Sequence, residues 1–97
     1  MLLLPATITN REARDTLRML SQALQREADP EVIVNASGLQ HFDTAALAVL
    51  LECERLAQAS GKRFVITQAP PKLATLAALY GVDALLLKGG IEAKSAV

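Results

Sequence analysis

Several residue types are scarce in this sequence, and each scarcity excludes a class of protein. One cysteine among 97 residues rules out an internal disulfide. Two phenylalanines, one tyrosine and no tryptophan leave few side chains for stacking on nucleic-acid bases. The formal net charge of zero gives no electrostatic attraction to nucleic acid or to an anionic membrane. No apolar run approaches the ~20 residues of a membrane span, and the opening Met-Leu-Leu-Leu-Pro lacks the basic region and the length of a signal peptide. We therefore expect a cytoplasmic protein with no nucleic-acid partner and no segment inserted into the membrane.

Motifs that carry chemistry are also missing from the sequence. Ser60-Gly61-Lys62 lacks the rest of a phosphate-binding P-loop, and no His, Cys or carboxylate pair has metal-ligand spacing. The single histidine, His41, lies close to Thr44, but neither a third orienting group nor an oxyanion site is visible. Cys53 and Tyr80 are predicted to be core residues. The sequence thus predicts no enzyme, no metal and no cofactor.

Short apolar runs alternate along the chain with amphipathic helical segments. The predicted strands are 2–4, 32–34 and 64–67. The first predicted helix, 10–25, follows a capping box at residues 9–12, and its apolar face consists of Ala13, Leu17, Leu20 and Leu24. The second predicted helix starts at Asp43 or Thr44 and ends at 59, and the third covers 71–80 and is closed by Gly81. The run 32–34 has the composition of a strand buried on both faces, and 85–87 fits either a last strand or a helical turn. This order predicts an α/β fold, with a mostly parallel sheet of about four strands and helices packed on it. The pattern is also compatible with an antiparallel first strand. One domain should cover residues 1–88, followed by a flexible tail at 89–97.

The second predicted helix has the most informative beginning. Asp43 and Thr44 are both good N-cap residues, and the segment after them contains no Gly or Pro before Ser60-Gly61. Its predicted apolar face consists of Ala46, Leu47, Leu50, Cys53 and Ala57, and its opposite face of Ala45, Ala48, Glu52, Arg55 and Ala59. The first two turns of that opposite face are therefore small and uncharged. Either these alanines are simply good helix formers or they form a surface that a partner can approach closely.

These residues carry a resemblance to a known family. The features that carry it are the strand 32–35, the motif Ser37-x-Leu39-x-x-Phe42-Asp43-Thr44-x-x-Leu47, the run 61–66 and the segment 73–82. Residues 2–87 resemble a STAS domain, the fold of sulfate transporters and anti-sigma-factor antagonists. Within that family the sequence is most similar to the B subunit of the Mla phospholipid transport system, whose motif is Asp-Thr-Gly-Gly-Leu. The resemblance therefore implies a STAS-like sheet with helices packed on it.

Three features depart from the family pattern. Ala45-Ala46 stands where the transport subfamily has Gly-Gly and the antagonists have Ser-Gly, so a partner's backbone is held further away. Asn35 replaces an aspartate common at the end of its strand, which weakens any ligand role there. The sequence also begins at the family's second strand, which leaves an exposed sheet edge that a partner or a second copy of the chain could cover as a homodimer.

The first function that the resemblance implies is a non-enzymatic accessory subunit of a phospholipid-transporting ABC complex, which maintains outer-membrane lipid asymmetry. The subunit would dock on the ATPase and, through it, on the permease, at the cytoplasmic side of the inner membrane. The residues implied in partner binding are Asp43, Thr44, Ala45, Ala48, Leu51 and Glu52. Helix N-terminal donors and the Thr44 hydroxyl would meet the partner's carbonyls or carboxylates.

The second implied function is an anti-sigma-factor antagonist, a switch whose partners are a serine/threonine kinase or an anti-sigma factor. Thr44 matches the position that is phosphorylated in those proteins, where serine is usual. A phosphate there would add about two negative charges at the start of a helix and repel the partner without unfolding the domain. A third alternative is that Thr44 is only a helix cap, whose loss would cost about 1 kcal/mol of stability.

Overall fold

The computed structural model describes residues 2–82 of the chain. The three predicted strands and the three predicted helices are present, with two additional short strands, in the order β1 (Leu2–Leu3), β2 (Thr7–Ile8), α1 (Ala13–Arg26), β3 (Glu31–Asn35), β4 (His41–Phe42), α2 (Thr44–Ala59), β5 (Arg63–Thr67) and α3 (Pro71–Leu79). The predictions for residues 85–87 and for the tail at 89–97 lie outside the described residues. None of the helices between residues 2 and 82 is long and apolar enough to cross a membrane.

Two parallel sheets form within residues 2–82. Strands β1, β3 and β5 pair in that order, with Leu2 opposite Val34 and Val34 opposite Ile66. The first strand is therefore parallel, and an antiparallel orientation is wrong. Strands β2 and β4 form a separate two-stranded parallel ladder. These two-residue strands lie in segments that the sequence pattern assigns to loops, because a run of two residues has no measurable periodicity.

The two faces of the larger sheet differ in burial. Val32, Val34, Phe64 and Ile66 are almost inaccessible and share one core with the inward residues of the helices, including Leu20, Leu24, Leu50 and Leu73. Ile33 and Val65, which are opposite each other in the register, are only half-buried. The prediction that 32–34 is buried on both faces is therefore wrong for Ile33. Successive side chains of a strand point to opposite faces, and the described residues bury one face more completely than the other.

Helix α1 begins later than its capping signal suggests. Glu12 accepts a hydrogen bond from the Thr9 backbone N–H at 3.0 Å, as a capping box requires. However, the Glu12 N–H donates to the Thr9 carbonyl at 3.0 Å, so residues 9–12 form a turn and the helix starts at Ala13. The predicted inward residues Leu20 and Leu24 are buried, and Thr16 joins them. At the other end the Lys62 ammonium donates to the carbonyls of Leu24 and Glu27, which secures the end of α1 against the α2–β5 loop.

The ends of α2 and α3 follow the glycine signals. Gly61 and Gly81 both have φ near +72°, the left-handed conformation that lets a chain leave a helix. Because α3 ends at Leu79, Tyr80 is its C-cap residue and lies outside the helix. Tyr80 is 58% exposed, so its prediction as a core residue is wrong. Cys53 is buried as predicted.

Candidate functional site

Asp43 and Thr44 have distinct structural roles at the start of α2. Asp43 is the N-cap, with extended backbone, and its Oδ1 accepts from the Ala45 N–H at 2.8 Å. Thr44 is the first helical residue and is exposed to solvent. Its hydroxyl makes no hydrogen bond within residues 2–82. The alternative that Thr44 acts as the cap is therefore wrong, since Asp43 already occupies that position.

Neighbouring segments hold this helix end in place. Asp43 Oδ2 also accepts from the Asn10 N–H at 3.4 Å, which links the loop before α1 to the start of α2. His41 in β4 donates its backbone N–H to the Ala6 carbonyl at 2.9 Å. Phe42 is buried immediately before the cap, and the Lys72 ammonium lies 5.5 Å from its ring centroid. Three separate parts of the chain thus fix the position from which the Thr44 side chain is displayed.

The residues implied in partner binding share one side of α2. With 3.6 residues per turn, positions 44, 45, 48, 51 and 52 fall within an arc of about 120°. Thr44 and Ala48 are exposed, and Ala45, Leu51 and Glu52 are half-buried. Small side chains therefore dominate the first two turns of this face.

The third turn of this face carries charge. Arg55 Nε donates to Glu52 Oε1 at 3.1 Å, and this hydrogen bond, with the positive charge of Arg55, holds the pKa of the Glu52 carboxyl below its usual range. Glu52 is therefore ionised at neutral pH and already engaged within its own helix.

A groove that the sequence analysis did not predict adjoins this face. It has a volume of about 250 Å³, is open to solvent and is lined by Ala13, Arg14, Leu17, Ala48 and Val49. It therefore lies between α1 and α2, with Ala48 common to the groove and to the predicted face. Ala13 and Leu17 are on the predicted apolar face of α1 but remain half-buried, unlike Leu20 and Leu24. Sequence periodicity identifies such residues as inward-facing, but it cannot show which of them stay accessible where two helices pack together.

Comparison with known proteins gives the family. The family model described as "Mlab, STAS domain" matches residues 2–88, which is most of the chain. The chain belongs to the STAS domain family. This confirms the family that the sequence motif predicts.

Among solved structures, this STAS domain is similar to the anti-sigma factor antagonist SpoIIAA in its unphosphorylated form. The TM-score is 0.69 at 16% sequence identity, over 88% of this chain and 74% of the other. That likeness confirms the α/β fold with its parallel sheet and packed helices. No curated protein matches this STAS domain by sequence.

Cys53, His41 and Asn35 are the other residues of the STAS domain that the sequence singles out. Burial, with a smaller contribution from Glu52, raises the pKa of Cys53 to about 11, so this thiol is un-ionised and unreactive at neutral pH. His41 is exposed on β4 and its side chain makes no hydrogen bond within residues 2–82. Asn35 Oδ1 accepts from the Ser37 N–H at 2.8 Å in a local turn. Between residues 2 and 82 no group of three metal-ligating side chains is close enough to hold an ion.

Proposed function

We propose that this STAS domain is a non-enzymatic accessory subunit that docks on the ATPase of a phospholipid-transporting ABC complex. The docking element is the N-terminus of α2, with Asp43, Thr44 and Ala45 at its centre and Ala48, Leu51 and Glu52 along the helix. The subunit would act at the cytoplasmic side of the inner membrane, bound to the permease through the ATPase. The description of the matching family model as a "Mlab" domain supports this choice.

The observation that carries the proposal is the display of Thr44. An exposed hydroxyl with no hydrogen bond inside residues 2–82 sits on the first turn of a helix that another residue already caps. The Ala45 N–H already donates to Asp43 Oδ1 and the Ala46 N–H to the Asp43 carbonyl, so the donors left on this turn within residues 2–82 are the Thr44 hydroxyl and the Thr44 N–H. Both lie at the positive end of the α2 dipole. Ala45 and Ala48 leave a partner room to approach. A partner carbonyl or carboxylate that reached Thr44 would meet these two donors together.

A second function, an antagonist-type signalling switch, is supported by the similarity in fold to SpoIIAA, an anti-sigma factor antagonist. The exposure of Thr44 also leaves it accessible to a kinase. A phosphate would face the positive end of the α2 dipole, so the domain would tolerate about two added charges. The same charges would disrupt a partner surface built to accept a neutral hydroxyl.

One experiment separates the two functions. Tagged protein is purified from detergent-solubilised native cells, and the co-purifying proteins are identified by mass spectrometry. Recovery of an ABC ATPase with its permease supports the transport function. Recovery of a serine/threonine kinase or an anti-sigma factor contradicts it and makes phosphate on Thr44 the next measurement.

Substitution of Thr44 tests the docking residue. We expect Thr44→Glu to fold normally, because a carboxylate suits the first turn of a helix, and to lose the co-purified partner. Ala59→Glu is the matched control, since it places the same charge on an exposed residue about 22 Å further along α2. Normal partner recovery with folded Thr44→Glu would contradict the assignment of Thr44 to the interface.

A further inference from the structure

We propose that the groove between α1 and α2 receives an amphipathic helix of the same partner, with an apolar side chain over Ala48 and a carboxylate paired with Arg14. This inference rests on the proposed function and extends its docking surface from α2 onto α1. The occupant is therefore a protein segment with both an apolar and an acidic side chain.

The dimensions and lining of the groove favour a protein side chain. Four of its five lining residues are apolar: Ala13, Leu17, Ala48 and Val49. At about 250 Å³ and open to solvent, it is smaller than the ~300–1,000 Å³ pockets that bury small molecules. An amphipathic helix places apolar side chains in such a shallow groove between two helices and keeps its other face in water.

The charges around the groove favour an acidic partner. Three carboxylates of the segments that form the groove have cations or N–H groups of this chain beside them. Asp15 Oδ1 lies 4.0 Å from Arg18 Nη2, Glu52 accepts from Arg55, and Asp43 accepts the N–H groups of Ala45 and Asn10. Arg14, by contrast, lines the groove and makes no hydrogen bond or ion pair within residues 2–82. A guanidinium at the rim of an apolar groove is suited to a bidentate pair with a carboxylate.

The groove and the Thr44 face are continuous. Ala48 belongs to both, and it lies one helical turn, about 6 Å along the axis, beyond Thr44. A partner that reaches the Thr44 hydroxyl therefore already borders the groove. Burial of the apolar floor would add to affinity, whereas the Arg14 pair would fix the orientation of the partner helix.

The test uses two variants of the full chain, each with a matched control. Arg14→Glu reverses the charge at the rim, and Arg26→Glu reverses it on the same helix about 18 Å away. Ala48→Phe fills the groove from an exposed position, and Ala59→Phe adds the same ring at the far end of α2. Binding to the purified ATPase is measured by titration, and folding of every variant is checked by circular dichroism.

We expect Arg14→Glu and Ala48→Phe each to raise Kd by about 10-fold or more, with both controls near wild type. Acidic residues on exposed ATPase helices are then changed one at a time to arginine. We expect one of these changes to restore the binding of Arg14→Glu, since the swapped pair recreates the attraction with opposite sign.

Each contrary outcome has a distinct meaning. Wild-type affinity for both groove variants, with loss of binding in Thr44→Glu, overturns the groove proposal and leaves the proposed function standing. Failure of the wild-type chain to bind any ATPase overturns the proposed function itself. Groove variants that change only the oligomeric state of the isolated chain, measured by light scattering, would show that a second copy occupies the groove and would overturn the assignment to a partner helix.

Discussion

Asp43→Ala and Thr44→Ala should differ clearly in their effect on stability. Asp43→Ala removes the side chain that accepts the Ala45 N–H at 2.8 Å, and loss of such a cap costs about 1 kcal/mol. Losing a negative charge at a helix N-terminus adds about 0.3–1 kcal/mol. The contact with the Asn10 N–H, 3.4 Å long and exposed, adds little. We therefore expect a total loss of about 1–2 kcal/mol.

Thr44→Ala should leave the stability of the domain almost unchanged. Its hydroxyl has no hydrogen bond within residues 2–82, so its removal should change the free energy of unfolding by no more than about 0.5 kcal/mol. Partner binding, in contrast, should weaken, because the hydroxyl is the group that we assign to the interface.

Thermal and urea unfolding of both variants, beside Asp43→Asn as a control that keeps a capping oxygen, provide the measurement. For a domain of this size, each kcal/mol lost lowers Tm by about 4–8 °C. A loss of 1 kcal/mol or more in Thr44→Ala would refute the reasoning, because the hydroxyl would then be a structural group. Weaker binding by Thr44 variants would in that case be explained by their lower stability and not by the loss of a contact with the partner.

Two further predictions concern groups away from the site. Lys62→Met should destabilise the domain by about 1–2 kcal/mol in urea unfolding, because it removes the donor to the carbonyls of Leu24 and Glu27 at the end of α1. Lys72→Met is the control: it removes only the contact with the Phe42 ring and should cost less than about 1 kcal/mol. Equal losses of stability in the two variants would contradict the role assigned to Lys62. Burial raises the pKa of Cys53 from 9.0 to about 11, so between those pH values the unfolded chain ionises its thiol and the folded chain does not. The free energy of unfolding should therefore decrease as the pH rises from 9 toward 11. In thermal melts across that range, Cys53→Ala should lose less stability than the wild-type protein, because it has no thiol to ionise.

The parts of the fold that the sequence could predict are those with a regular pattern. Three such patterns each predict one kind of element, and the structure contains all of these elements. They are the run of β-branched residues at 32–34, the spacing of Leu20 and Leu24 in α1, and the glycines at 61 and 81. The ladder between β2 and β4 could not be predicted. Its strands are only two residues long. Backbone hydrogen bonds bring them together, and these bonds do not depend on which side chains follow one another in the sequence.

The site could be located from the sequence but not resolved in detail. Asp43 and Thr44 both suit an N-cap, and only the backbone geometry shows that Asp43 takes that position and leaves Thr44 exposed. Glu54 is almost fully buried on α2, where the Gln58 amide donates to it at 2.9 Å, although a charged residue is normally predicted to be at the surface. The groove beside Ala48 depends on the separation of two helices, which is a property of tertiary packing.

The link between Asn10 and Asp43 has a consequence for the lifetime of the protein in the cell. Together with the His41–Ala6 hydrogen bond and the burial of Phe42, it joins the start of α2 to distant segments of the chain, so the Thr44 hydroxyl is presented in this way only when the domain has folded. A partner that docks there binds native molecules alone and draws the equilibrium toward them by mass action. At a partner concentration of 100 times Kd, this linkage is worth about 2.7 kcal/mol. Subunits produced in excess of their partner would lack that protection and would be degraded first, so the amount of this protein would follow the amount of the complex.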